Sequence, residues 1–289
     1  MSELRKQIFD ALKEKRSNIS DSSCKTYTSL LVSVYNNLDG KNGLEFFKSH
    51  SKIIPYVKSL EKAQTRKTTL SSLYVLTALD NYKESMMEDI KEVNDFYKKQ
   101  KNDPERQSRV KTFEEVVAIH NAIKGKFKSK PINDNLVDLL VSYLFSGALE
   151  NALPPRRLLD YSEMKLKNYN SEKDNYIEKG KMYFNNYKTK EAYGTQIIPI
   201  PKELNALINK WKKINDNDYL LVSEDGKKFT SSGLGKKIGR LFEGNSVDML
   251  RSIFLSHYYR DMPKLTEMED IANKMGNSIN AHLNYYVKK

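Results

Sequence analysis

The chain has 289 residues, 39% of them hydrophobic and 10% aromatic, enough to build one large packed domain or two. With 30% charged residues and no run near the roughly 18 apolar residues that a membrane helix needs, the sequence argues against a membrane-spanning class. The single cysteine, Cys24, excludes an internal disulfide and a cysteine-based zinc site.

The formal charge is +12, and it is spread evenly. Residues 1–111 hold 21 basic and 15 acidic side chains, and residues 112–289 hold 28 and 22. A basic tail would concentrate the excess in one place. Two basic halves suit two domains that both face a polyanion, although a lysine-rich coding bias produces the same figure.

In chain order, MSELRKQIFDALKEKRSN reads as a charged amphipathic helix without the apolar core of a signal peptide. Together with the lone cysteine it points to an intracellular protein. Ser20, Asp21 and Ser22 offer N-caps to a helix carrying Tyr27, Leu30, Leu31, Val34 and Leu38, broken at Asp39-Gly40. Helical runs follow over Lys67–Leu79 and Lys83–Lys101, so residues 1–100 are expected to form a helical bundle. The segment from Lys99 to Lys111 is charged, contains Pro104 and has Val110 as its one aliphatic residue, so 101–111 reads as a linker. Thr112 with Glu115 three residues on is a capping-box pattern and opens the second domain, 112–289. Helices are expected over Phe113–Ile123 and Asn133–Leu149. Over 176–201 the period shortens to two, with Gly180 and Gly194 as turns, and predicts two or three short antiparallel strands. Helical periodicity resumes over 204–211, 233–242, 247–259 and 268–275. The expected class is mostly α with a small antiparallel β-sheet (α+β).

Several basic residues gain meaning from their order. From Ser146 the chain runs SGALENALPPRRLLDYSEMKL, placing two arginines after two prolines and an acid three residues after the second. The strand region ends in YKTKEAYGTQIIPIP, and then come SVDMLRSIFLSHYY and MGNSINAHLNYY.

This order resembles the catalytic domain of the tyrosine recombinases, the phage-integrase-like family, over roughly Thr112–Lys289, with the first domain similar to the family's core-binding domain. PPRRLLDY and YGTQ look most like the subgroup found in large DNA viruses and their mobile elements. Arg157 matches the family's first arginine, with Asp160 and Met164 at the right spacings, and Arg156 is the alternate. Lys188 matches the hairpin lysine, with Lys190 second. Arg251 matches the second arginine through Leu250, Phe254 and His257. Tyr286 falls nine residues after Asn277, in the nucleophile's place, with Tyr285 as its rival. Two positions depart from the pattern: Asp248 stands where His or Lys is usual, and Asn277 replaces a histidine.

The resemblance implies a metal-free and cofactor-free strand transfer on double-stranded DNA. Two guanidiniums, Arg157 and Arg251, stabilise charge on the phosphate. Tyr286 attacks to give a 3′-phosphotyrosine, and Lys188 protonates the leaving 5′-oxygen. An ionised Asp248 would repel phosphate but can orient Arg251 or Lys188. Asn277 can still donate a hydrogen bond, and His282, four residues before Tyr286, is a candidate to replace the missing imidazole; His257 reads as structural. Lys25, Arg66 and Lys67 are candidate phosphate contacts in a DNA clamp. The family works as homo-tetramers coupled by a C-terminal segment, of which three residues follow Tyr286 here. The alternatives are DNA relaxation of the type IB topoisomerase kind and a catalytically impaired DNA-binding member of the fold.

Overall fold

A computed structural model describes residues 3–99, 107–130, 133–274 and 279. They pack as two compact units. One comprises residues 3–99 with the helix Leu265–Lys274; the other lies within 107–262. That helix therefore groups with the first unit rather than with the residues it directly follows, and its Glu269 pairs with Lys98 at 3.2 Å. Among the described residues no helix is long and apolar enough to cross a membrane.

The first unit is helical throughout its named elements: α1 (Glu3–Lys15), α2 (Asp21–Asn37), a 3-10 segment (Gly43–Lys48), α3 (His50–Lys58), α4 (Ala63–Thr77) and α5 (Asp80–Lys98). Ser20 caps α2 as its sequence suggests, accepting from the Ser23 N–H at 3.1 Å. The apolar faces of these helices meet in one core that includes Ile8, Leu12, Leu31, Ile53, Leu70 and Leu73. Tyr82 enters that core from α5 and loses no hydrogen bond, because its hydroxyl donates to the Phe47 carbonyl at 2.7 Å.

The second unit starts at the expected capping box. Thr112 Oγ1 accepts from the Glu115 N–H at 3.2 Å, and Glu115 accepts from the Thr112 N–H at 2.7 Å. That second bond holds the Glu115 carboxyl below its ordinary range. From the box run α6 (Phe113–Ser129) and α7 (Asn133–Phe145), which is buried on nearly every side and forms the axis of the unit. A short α8 (Leu158–Ser162) leads into the sheet.

The sheet has four strands in sequence order: β1 (Met164–Lys165), β2 (Asn175–Glu178), β3 (Lys181–Phe184) and β4 (Gln196–Pro199). β2, β3 and β4 pair antiparallel, whereas β1 pairs parallel to β2, so the sheet is mixed rather than purely antiparallel. Lys179 and Gly180 both have positive φ (46° and 74°), the requirement of a two-residue hairpin turn that follows the strand twist. Ile177, Met182 and Ile198 point to the core, while Tyr169, Tyr176 and Tyr183 stack along the other face, their ring centroids 4.2 and 4.5 Å apart. Between β3 and β4 lies a loop containing a one-turn helix, α9 (Lys190–Tyr193). The chain then continues through α10 (Lys202–Lys212), α11 (Ser231–Leu241) and α12 (Val247–Tyr258).

Gly147 is where α12 reaches the end of α7. Its φ is +77°, and a Cβ there would lie 2.5 Å from Phe254 Cδ2. Gly147→Ala therefore meets both a left-handed backbone and a buried ring, and is expected to cost about 2–4 kcal/mol. A shift of that size in the urea midpoint checks it; an unchanged midpoint would contradict the close approach.

Candidate active site

The chain leaves α7, passes a 3-10 turn and runs extended through Pro154 and Pro155, which cannot continue a helix in this setting. It delivers Arg156 and Arg157 to the start of α8, with Arg157 as the N-cap residue in an extended conformation (φ −67°, ψ 153°). Both arginines line one open pocket of about 300 Å³, together with Asp160 of α8, Tyr187 and Thr189 of the β3–β4 loop, and Arg251 of α12. Elements nearly one hundred residues apart in sequence thus bring three guanidiniums and one carboxylate to one place.

The two adjacent arginines have different surroundings. Arg156 is held on every side. Its guanidinium lies 3.9 Å from the centre of the Phe184 ring and 5.1 Å from that of Tyr187. Its Nε donates to Asp160 Oδ2 at 2.9 Å, and its Nη1 donates to Gln196 Oε1 at 2.7 Å. Arg157 is half-buried, and among the described residues no hydrogen bond or ion pair of its side chain is found. Asp160 is 2% exposed. Burial pushes its carboxyl above the ordinary carboxylate value, while Arg156, and beyond it Arg157 and Arg251, pull the other way.

Arg251 sits on α12 between Leu250 and Ile253, both buried. Ser246 caps this helix by accepting from the Met249 N–H at 3.3 Å. Arg251 Nη1 lies 3.5 Å from the exposed Asp248 carboxylate one turn earlier. Its Nε is buried and has no hydrogen-bond partner among the described residues. A buried N–H without an acceptor is costly, and this one belongs to a side chain lining the pocket.

Lys188 is not on a strand. It is exposed in the turn after β3, between Tyr187 and Thr189, which line the pocket, and Lys190 opens α9. His257 stacks on Phe113 with ring centroids 4.1 Å apart, and its Nδ1 is 3.4 Å from Glu114 Oε1. Tyr286, Tyr285, Asn277 and His282 lie outside the described residues.

In the first unit, Lys25 is exposed on α2 and Lys67 is half-buried on α4. Arg66 is engaged within the unit. Its Nε donates to buried Asp89 at 2.6 Å, its Nη2 to Glu92, and its Nη1 to the carbonyls of Leu60 and Glu61. Asp89 first, and then Glu92, raise its already high pKa against the opposing effect of burial. The bonds to Asp89 and Glu92 fix α4 against α5.

One residue that the sequence reading passed over is Asn175, at the start of β2 and fully buried. Its Nδ2 donates to the Asp160 carbonyl at 3.0 Å and to the Asn186 carbonyl at 2.8 Å. Its Oδ1 accepts from the N–H groups of Asn185 at 2.9 Å and Asn186 at 2.8 Å. All four hydrogen-bonding positions of the amide are used. Asn next to a strand ordinarily signals a turn, so nothing local marked it out.

Removing the carboxylate from this cluster tests its weight in the fold. Asp160→Ala is expected to cost about 3 kcal/mol or more, the order found when a buried ion pair loses one partner. Asp160→Asn, which keeps an acceptor for Arg156, is expected to cost less. Urea unfolding of the two variants checks the order; equal stabilities would contradict it.

No family model and no curated protein matches the sequence. Solved structures do. A lambda integrase(75-356) dimer bound to a COC′ core site superposes with a TM-score of 0.50 at 15% identity, covering 90% of this chain and 90% of that one. A further lambda integrase dimer bound to a COC′ core site gives 0.51 at 14% identity, covering 89% and 70%. A lambda integrase tetramer bound to a Holliday junction gives 0.50 at 15% identity, covering 90% and 73%. At these identities the likeness speaks for the fold alone: this chain is built on the fold of lambda integrase, the fold that its sequence resemblance implied.

Proposed function

We propose that this chain is a site-specific DNA recombinase that cleaves and rejoins duplex DNA through a 3′-phosphotyrosine intermediate. The observation that carries the reading is the pocket in which the Arg157 guanidinium and the buried Nε of Arg251 find no acceptor among the described residues, beside Arg156 and Asp160, which are bonded to each other.

Attack on a phosphodiester builds negative charge on the two non-bridging oxygens. Guanidiniums held in place stay charged at any physiological pH and need no reorganisation as that charge develops. Arg157 and Arg251 take this role. Asp248, 3.5 Å from Arg251, fixes the second guanidinium instead of contacting the phosphate itself. The Tyr286 hydroxyl attacks phosphorus, its proton passing to a base or to solvent. The bond from phosphorus to the 5′-oxygen breaks, and Lys188 protonates the leaving oxygen. The phosphotyrosine conserves the bond energy, so the reverse attack by a 5′-hydroxyl rejoins DNA without ATP, and the guanidiniums provide the charge stabilisation without calling on a metal.

The partners in this reading are double-stranded DNA and further copies of the chain, with a tetramer as the working assembly. The lambda integrase dimers and tetramer on DNA support that choice by likeness of fold. The even spread of positive charge supports contact from both halves, with Lys25 and Lys67 as phosphate contacts in the first. The reading places the protein inside the cell with DNA. PPRRLLDY and YGTQ support membership of the subgroup found in large DNA viruses and their mobile elements.

A nicked suicide duplex carrying candidate attachment sequence, incubated with EDTA, tests the chemistry. Wild type is expected to give a denaturation-resistant protein–DNA adduct that Tyr286→Phe abolishes and Tyr285→Phe retains. Loss in Tyr285→Phe alone would move the nucleophile by one residue. Relaxation of supercoiled plasmid without joining of two sites would favour the topoisomerase reading. Tight binding of cognate DNA with no adduct would overturn catalysis and leave a DNA-binding protein.

A further inference from the structure

We infer that Asn175 is a positioning residue that sets the place of Lys188 relative to the arginine turn. This rests on the role given to Lys188 in the proposed reaction. Lys188 is exposed, and among the described residues no hydrogen bond or ion pair of its own side chain is found. Its placement must therefore come from the backbone that carries it, and a general acid is useful only within hydrogen-bond reach of the atom that it protonates.

That backbone is anchored two residues upstream. The N–H and the carbonyl of Asn186 both bond to the Asn175 amide, at 2.8 Å each, and the Asn185 N–H adds a third bond at 2.9 Å. The fourth bond, at 3.0 Å, goes to the carbonyl of Asp160. The side chain of that same Asp160 holds Arg156, one residue from Arg157. One buried amide thus spans the two segments that carry the proposed acid and the first phosphate-binding arginine.

The rest of the loop is secured independently. The Tyr187 hydroxyl donates to the Gly194 carbonyl at 2.7 Å, Thr195 Oγ1 donates to Asn185 Oδ1 at 2.8 Å, and Asn185 Nδ2 donates to the carbonyls of Ser171 and Asp174. Of these contacts, the Asn175 amide is the one that bonds the backbone of α8, while Arg156 meets Tyr187 and Gln196 from the arginine turn itself. Losing the amide should leave the loop folded, with the backbone before Lys188 no longer fixed to α8.

This mechanism has a chemical signature that general destabilisation lacks. A DNA substrate with sulfur in place of the leaving 5′-oxygen expels a thiolate, which needs no proton from the enzyme. Single-turnover adduct formation by Asn175→Ala is expected to slow about 100-fold on the oxygen substrate, the low end of what a general acid contributes. On the sulfur substrate it is expected to slow no more than about threefold, with DNA affinity unchanged. Lys188→Ala should show the same pattern, and Asn175→Asp, which keeps the acceptor but not the donors, should fall between. Equal slowing on both substrates would overturn the inference. Hydrogen exchange on the DNA-free protein gives a second arm that does not depend on activity. The Asn185 and Asn186 amides should exchange at least about tenfold faster in Asn175→Ala and Asn175→Asp should protect them. If wild type forms no adduct on either substrate, the functional reading fails and the exchange arm decides alone: unchanged exchange in Asn175→Ala overturns the positioning role.

Discussion

Three guanidiniums cannot share one pocket unless something offsets their repulsion, and in this chain that is the buried carboxylate of Asp160. Taking a carboxylate out of water is unfavourable by several kcal/mol unless a cation answers it. Arg156 does so at 2.9 Å, while Arg157 and Arg251 add attraction from further away. The carboxylate compensates the arginine cluster, and the cluster is what makes a buried carboxylate tolerable. The stacking of Arg156 on Phe184 then ties this arrangement to β3, and its bond to Gln196 ties it to β4.

The consequence is a division of labour between neighbours in sequence. Arg156 is the cation that belongs to the fold, with its donors directed at protein acceptors. Arg157, the N-cap residue of α8, has no such bonds among the described residues. Arg251 arrives from a helix whose approach depends on the missing side chain of Gly147, and its buried Nε remains without an acceptor among the described residues. A site that leaves donors unmatched in this way stores an attraction for an anion, which is the property that a phosphoryl-transfer site requires.

Much of this was legible in the sequence wherever the signal is local. The Ser20 cap, the Thr112–Glu115 box and the Lys179-Gly180 turn each depend on residues a few positions apart, and each forms as its pattern suggests. The convergence of Arg157, Asp160 and Arg251 was legible only through the resemblance to the family's order of motifs, since no periodicity brings residue 157 to residue 251. Other features depend on distant partners and left no local trace. Arg66 resembles a surface cation until Asp89, 23 residues on, claims it. β1 is two residues long and pairs parallel across the sheet, too short to show alternation. Asn175 has the composition of a turn and the environment of a core residue. Lys188 was expected within the 176–201 stretch read as short strands, yet β3 ends at Phe184, where the chain turns to bond Asn175.

The central claim is that Arg156 serves the fold and Arg157 serves the phosphate, and one paired measurement addresses it most directly. Single-turnover cleavage of a nicked cognate duplex is followed for Arg156→Ala and Arg157→Ala, with the urea midpoint of each protein measured alongside. The account predicts that Arg157→Ala loses about 100-fold or more in cleavage rate with its midpoint unchanged, whereas Arg156→Ala is markedly destabilised. If Arg156→Ala abolished cleavage at full stability while Arg157→Ala cleaved like wild type, the account would be contradicted.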